Sequence, residues 1–177
     1  VCGPMFSGKS EELIRRLTRA RIARQRVGIF KPQLDDRYDD TDIVSHAGVR
    51  MPATPVSSSD DVARLAAGHD AIGIDEVQFF DEGVVEVAVR LADSGVRVVC
   101  AGLDTDFRRL PFGPMPQLLA RAESVTKLQS VCHRCGGEAI YTQRLVNGKP
   151  APFSGETVQI GALDAYEARC RQCYQPG

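Results

Sequence analysis

The chain has 177 residues, 43% of them hydrophobic and 25% charged, enough for one globular domain or for one domain with a small module. A formal net charge of −1 gives no general basic footprint for nucleic acid. No run approaches the ~18 consecutive apolar residues of a membrane span, and no secretory-signal pattern is legible, so the six cysteines are read as metal ligands or core residues before disulfides.

Gly3-Pro4-Met5-Phe6-Ser7-Gly8-Lys9-Ser10 fits G-x-x-x-x-G-K-[ST], the phosphate-binding P-loop. Gly3 and Gly8 let the backbone turn so that its N–H groups face phosphate oxygens. Lys9 adds a positive charge for the terminal phosphates, and the Ser10 hydroxyl is a ligand for Mg²⁺. The motif should leave a strand, yet only Val1 and Cys2 precede Gly3, so the sequence is expected to begin inside strand one.

A helix is predicted over 10–24, with Leu13, Ile14 and Leu17 on one face and Glu11 and Glu12 in its first turn. Its arginines, from Arg15 to Arg26, read as a solvated face rather than a nucleic-acid patch. A buried strand over 27–30 should end at Lys31-Pro32, and a polar loop over 33–45 carries Asp35, Asp36 and Arg37. A strand over 52–56 leads to a helix capped by Ser59 or Asp60 and running to about 67. The apolar strand 71–74 ends in Asp75-Glu76. A helix over 83–94 is stopped by Gly95, and a strand over 96–101 opens a loop, 102–113, carrying Asp104, Asp106, Phe107, Arg108, Arg109 and Phe112. A helix over 116–122 and a last strand over 124–128 follow. This alternation predicts an α/β fold, a P-loop NTPase-like parallel sheet flanked by helices. The pattern then becomes turn-rich, which places a boundary near Ser130. Residues 1–130 form the nucleotide-binding unit, and 131–177 form a small zinc-binding module with a lid.

The chemistry-bearing residues cluster on this plan. An apolar strand ending in Asp75, combined with a P-loop, supplies the second Mg²⁺ contact. Glu76 beside it suits a base that accepts a proton from water in an ATPase or from a substrate hydroxyl in a kinase. Phe79, Phe80, Phe107 and Phe112 lie at the carboxyl ends of parallel strands, where a flat base would stack. Cys132-x-x-Cys135 and Cys170-x-x-Cys173 offer four thiolates for a closed, structural zinc site. Residues 136–169 separate the pairs, longer than the usual spacing, which implies an inserted loop. That loop, 145–166, is rich in Gly and Pro and suits a lid that excludes water. His133 is expected to face solvent. Cys2 and Cys100 are expected in the core.

Together these residues resemble the cytosolic-type (type II) thymidine kinases. The matching pieces are GPMFSGKS at Gly3, IDEVQFF at Ile74, LDTDF at Leu103, PFG at Pro111, AESVTKL at Ala122, CHRC at Cys132, YTQRL at Tyr141 and YEARCRQC at Tyr166. The resemblance implies transfer of the ATP γ-phosphate to the 5′-hydroxyl of thymidine with Mg²⁺, and a structural Zn²⁺. It makes Glu76 the general base. It places the nucleotide and Mg²⁺ segments at residues 3–10 (Gly3, Pro4, Met5, Phe6, Ser7, Gly8, Lys9, Ser10), at Asp75 and Gln78, and at Asp35, Asp36 and Arg37. The apolar side of the thymidine pocket becomes Met5, Phe79, Leu103, Phe107 and Phe112. Thr142, Thr157, Val158, Gln159, Ile160, Gly161 and Tyr166 become the lid that grips the base. It further implies a cytoplasmic homotetramer inhibited by thymidine triphosphate, with no nucleic-acid or membrane partner.

Three other readings compete at this level. A nucleic-acid-dependent ATPase shares the Asp-Glu-x-Gln run, but the chain is short for two motor lobes. A GTPase needs an Asn-Lys-x-Asp run, and the sole asparagine is Asn147. A non-enzymatic reading makes the cysteine module a DNA-binding element.

Overall fold

A computed structural model describes residues 1–33, 42–44, 50–154 and 166–177. Helix α1 (Lys9–Ile22) starts directly after Gly8, whose left-handed backbone (φ 81°) turns the phosphate loop into the helix. Leu13, Ile14, Leu17 and Ala20 are buried on one face, and the arginines ride the other. The strand β1 (Val27–Pro32) runs two residues beyond its expected end, because Lys31 and Pro32 still pair with Pro55 and Val56. β2 (Asp42–Val44) and β3 (Arg50–Pro52) form a small antiparallel ribbon, whereas β4 (Thr54–Val56) joins the main sheet. The single strand expected over 52–56 is therefore split at Ala53 between two sheets.

Helix α2 (Ser59–Leu65) is capped by Ser58, not by Ser59 or Asp60. The Ser58 hydroxyl accepts the Asp61 N–H at 3.2 Å, while Ser59 is spent on Asp81. β5 (Ala71–Ile74) is buried on both faces. α3 (Gly83–Asp93), β6 (Arg97–Cys100) and α4 (Met115–Arg121) follow within a residue or two of expectation.

The main sheet has the order β4-β1-β5-β6, all parallel. Its two faces are covered differently. Leu13, Ile14 and Leu17 of α1 cover one, and Val62, Val84, Val85, Val87 and Met115 of α2, α3 and α4 cover the other. Gly73 lets α1 lie close, since a Cβ there would stand 2.5 Å from Leu17 Cδ1. Residues 124–128 do not form the expected strand. Cys2 alone bridges Lys127 on one side and Gly102 on the other, too little partner for a ladder.

The register decides where the chemistry falls. Phe30, Ile74 and Cys100 lie abreast, so the residues just beyond them emerge together at one end of the sheet. Beyond Ser130 the chain is built of short strands. β7 (Ser130–Val131) pairs with β8 (Glu138–Ala139). β9 (Tyr141–Val146) lies between β10 (Lys149–Pro150) and β11 (Tyr166–Arg169). The β9–β10 turn is Asn147-Gly148, both at positive φ (52° and 74°), the pairing a tight two-residue hairpin demands. Among the described residues no helix is long and apolar enough to cross a membrane.

Candidate active site

The phosphate loop closes around its own carbonyl. Ser7 Oγ and Lys9 Nζ both donate to the Pro4 carbonyl at 2.8 Å. Gly3, at φ 146°, has no room for a side chain, because a Cβ would meet the Leu128 carbonyl oxygen at 2.5 Å. Phe6 holds a left-handed backbone (φ 63°) that is costly for an aromatic residue and leaves its ring on the rim. Lys9 is buried. Burial lowers its ammonium pKa, and the charges of Glu76, Asp75 and Asp104 oppose that shift.

Ser10 Oγ donates to Asp75 Oδ2 at 2.9 Å, so the P-loop hydroxyl and the carboxylate after β5 share one spot. Asp75 is only 5% exposed. Burial, and then the neighbouring Glu76 charge, push its carboxyl up to about 6. A buried carboxylate beside a hydroxyl, in need of a compensating charge, is a fitting pair of hard oxygen donors for Mg²⁺.

Glu76 itself is held at φ 48°, ψ 39°, a left-handed conformation that a non-glycine residue keeps only when its surroundings impose it. The surroundings are specific. Val77 N–H donates to Ala101 O at 3.0 Å, anchoring the turn to the end of β6. Gln78 is buried, and its amide donates to Glu76 Oε2 at 2.5 Å while its oxygen accepts the Leu103 N–H at 3.0 Å. Gln78 thus links the two loops that leave β5 and β6. Gly102 and Gly113 make way for it, since a Cβ at either would fall within 2.5 Å of Gln78 atoms.

Among the aromatics, Phe79 and Phe112 meet edge to face, with centroids 5.4 Å apart, and both stay partly exposed. Phe107 is buried under the Arg144 guanidinium, which stands 5.4 Å from its ring. Phe80 turns into the core with Val77 and Val84. Thr142 is buried on β9, and its hydroxyl accepts the Met5 N–H at 3.0 Å, which brings a lid candidate onto the phosphate loop. Leu103 is half-buried beside Gln78. Tyr166 lies on β11 opposite Arg144. Asp35, Asp36 and Arg37, and Thr157, Val158, Gln159, Ile160 and Gly161, lie outside the described residues, as do residues 155–165, half of the expected lid.

Several participants were not singled out in the sequence. Asp104 is buried, and its Oδ2 takes the Lys127 ammonium at 2.7 Å across the entry to the phosphate loop. Its Oδ1 is buried without a hydrogen-bond partner among the described residues. Tyr174 also ties the cysteine module to its surroundings, its Oη donating to Phe107 O at 2.7 Å, while Gln143 binds the Gln175 N–H within the module. In the sequence Asp104 stood only as a residue of the loop after a predicted strand and of the LDTDF segment, with no role of its own.

Sγ atoms of Cys132, Cys135, Cys170 and Cys173 lie within 4.8 Å of one another, and those of Cys135 and Cys170 are 3.7 Å apart. Tetrahedral zinc with ~2.3 Å bonds to sulfur sets sulfurs ~3.8 Å apart, so the cluster fits that ion. Two tight turns present the thiols: Gly136 N–H donates to Cys132 O, and Cys173 N–H donates to Cys170 O. His133 is exposed near Glu167 and stands outside the set.

The thymidine kinase family model matches residues 1–174. A kinase of this kind takes thymidine and ATP as substrates and works with Mg²⁺. With the match running through the phosphate loop, the carboxylates after β5 and the cysteine module, the chain belongs to the thymidine kinase family and is a nucleoside kinase.

Proposed function

We propose that the protein transfers the γ-phosphoryl group of ATP to the 5′-hydroxyl of thymidine, with Glu76 as general base. The observation that carries this reading is the Gln78 bridge. It holds one Glu76 oxygen at 2.5 Å and the Leu103 backbone at 3.0 Å, coupling the carboxylate beside the phosphate loop to the apolar loop that would seat the base.

In this reading the nucleoside lies between Met5, Leu103, Phe107 and the Phe79–Phe112 pair, with its 5′-hydroxyl directed at Glu76. Glu76 Oε1 accepts the hydroxyl proton as the oxygen bonds to the γ-phosphorus. The bond from that phosphorus to the β-bridging oxygen breaks, and ADP leaves with the electron pair. Lys9 leaves the Pro4 carbonyl to neutralise phosphate charge. Bound at Ser10 and Asp75, Mg²⁺ would supply further charge neutralisation. The left-handed Glu76 backbone supports a preorganised base, because strain of this kind persists where surrounding contacts fix a geometry. Asp35, Asp36 and Arg37 are proposed as further nucleotide contacts. Residues 157–161, with Thr142 and Tyr166, are proposed as the lid around the base. Residues 1–130 and 131–177 are proposed as separate units, nucleotide-binding and zinc-binding. Family membership further supports a cytoplasmic homotetramer restrained by thymidine triphosphate.

The test is ATP turnover with Mg²⁺, with and without thymidine and with and without DNA. Thymidine-dependent formation of the 5′-monophosphate is expected. ATP hydrolysis that is indifferent to thymidine, with no phosphorylated nucleoside, would refute the assignment.

A further inference from the structure

The loop bearing Phe107 and Phe112 makes several hydrogen bonds to itself. Asp106 Oδ1 accepts the N–H groups of Arg108 and Leu110 at 2.8 and 3.0 Å, and Asp106 N–H donates to Leu110 O. Phe112 N–H returns to Asp104 O at 3.2 Å. Such a knot is rigid within itself, but its orientation depends on what holds it from outside. One external hold comes from the cysteine module. Tyr174 directly follows Cys173, and its N–H donates to Cys170 O at 3.0 Å, so the turn that presents two thiols also aims this ring. Tyr174 Oη then donates to the Phe107 carbonyl at 2.7 Å in a buried position.

The contact is reinforced from the loop side. Arg109 sits at φ 66°, a left-handed backbone for a long side chain, and its guanidinium lies 4.6 Å from the Tyr174 ring centroid and 5.3 Å from that of Tyr141. Tyr141 and Tyr174 meet edge to face at 5.5 Å. On the other flank, Gln175 N–H donates to Gln143 Oε1 at 2.9 Å on β9, the strand that also carries Thr142 to the phosphate loop. The same module therefore grips both sides of the region between phosphate loop and aromatic loop.

We propose that Tyr174 is a positioning residue for nucleoside binding, acting through the Phe107 carbonyl to hold the 104–112 loop in register with Gln78 and the phosphate loop. The inference rests on the thymidine kinase reading above. It gives the four-cysteine centre a task beyond holding its own module together, namely fixing the phenol that anchors the base-side wall. A carbonyl left buried and unpaired by loss of that phenol is costly, and the loop's cheapest relief is to swing toward solvent. The nucleoside then has to restore the arrangement on binding, which weakens thymidine and leaves phosphate contacts alone.

The experiment compares full-length zinc-loaded protein with its Tyr174→Phe variant, which keeps the ring and its stack with Arg109 and removes only the donor. KM for thymidine should rise about 5- to 20-fold, the scale of one unsatisfied buried acceptor. The value of kcat, KM for ATP and zinc content should stay within about twofold. In ligand-free protein, amide exchange over residues 107–112 should quicken relative to that of α1. An unchanged thymidine KM, a loss shared equally by ATP, or unchanged exchange over 107–112 would overturn the proposal. Arg109→Gln, which spares the hydrogen bond, should shift thymidine KM in the same direction by less, and this second variant decides the matter if Tyr174→Phe folds poorly. If wild-type protein does not phosphorylate thymidine, the functional reading fails, while the exchange measurement still judges the tether.

Discussion

Met5 donates its backbone N–H to the Thr142 hydroxyl at 3.0 Å, joining the phosphate loop to β9 across 137 positions of sequence. The adjoining Phe6 carbonyl accepts the Ser130 hydroxyl at 3.0 Å, so two consecutive residues of the loop are held by the C-terminal segment. The phosphate loop is thus shaped from outside as well as by its own glycines.

Thr142→Val should expose what that bond contributes. The swap keeps the side-chain shape and leaves the Met5 N–H without its acceptor, so stability should fall by about 1 kcal/mol. Thr142→Ser, which retains the hydroxyl, should lose less. Urea unfolding of the three proteins measures this, and equal midpoints for Val and wild type would show that the bond is immaterial.

Lys9→Ala and Glu76→Gln should impair turnover for different reasons. In the proposed mechanism Lys9 neutralises phosphate charge, so its loss should weaken use of ATP broadly. Glu76→Gln keeps the shape and the Gln78 contact but cannot take a proton, so kcat should fall by about 10²-fold or more with thymidine binding little changed. Steady-state kinetics with isothermal titration of thymidine separates the two. A Glu76→Gln enzyme with near-normal kcat would mean another group is the base.

The cysteine cluster should hold about one zinc per chain, as its geometry matches four-thiolate coordination. Replacing Cys132 or Cys173 with serine should release the metal and lower the thermal midpoint, because among the described residues the module has a small core around Cys132, Ala139 and Ala168. Metal analysis of freshly prepared active protein checks the first point, and calorimetry the second.

Glu12 offers a pH test on the first turn of α1. Arg15 and then Arg16 hold its carboxyl well below the usual range, at about 2, through bonds of 2.6 and 2.8 Å. A carboxyl whose pKa is lower in the folded state stabilises that state when ionised. Its contribution is complete above the unfolded pKa of about 4.5 and fades as pH falls toward 2. The stability gap between wild type and Glu12→Gln should therefore be constant from pH 5 to 7 and shrink below about 4.5. Urea titrations across pH 3 to 7 measure it, and a gap that widens on acidification would contradict the assignment.

The sequence by itself determined the parts whose signals are local. The glycine spacing around Lys9, the apolar run ending at Asp75 and the paired cysteines each specify chemistry within a few residues, and periodicity placed α1, β5 and α3 closely. Local signals also misled. Residues 124–128 have strand composition, but among the described residues only Cys2 lies beside them to pair, and the cap of α2 fell to Ser58 because Asp81 engages Ser59. What tertiary structure alone decided is how separate loops act on one another. Gln78 bridging Glu76 to Leu103, Lys127 reaching Asp104, Thr142 meeting Met5 and Tyr174 holding Phe107 all arise because parallel strands deliver their carboxyl ends to one edge and the cysteine turns lean against it. Each is a contact of a few ångströms between residues distant in sequence or turned toward each other by an unusual backbone. No propensity or spacing encodes such a contact, because its energy exists only once the register of the sheet has brought the partners together.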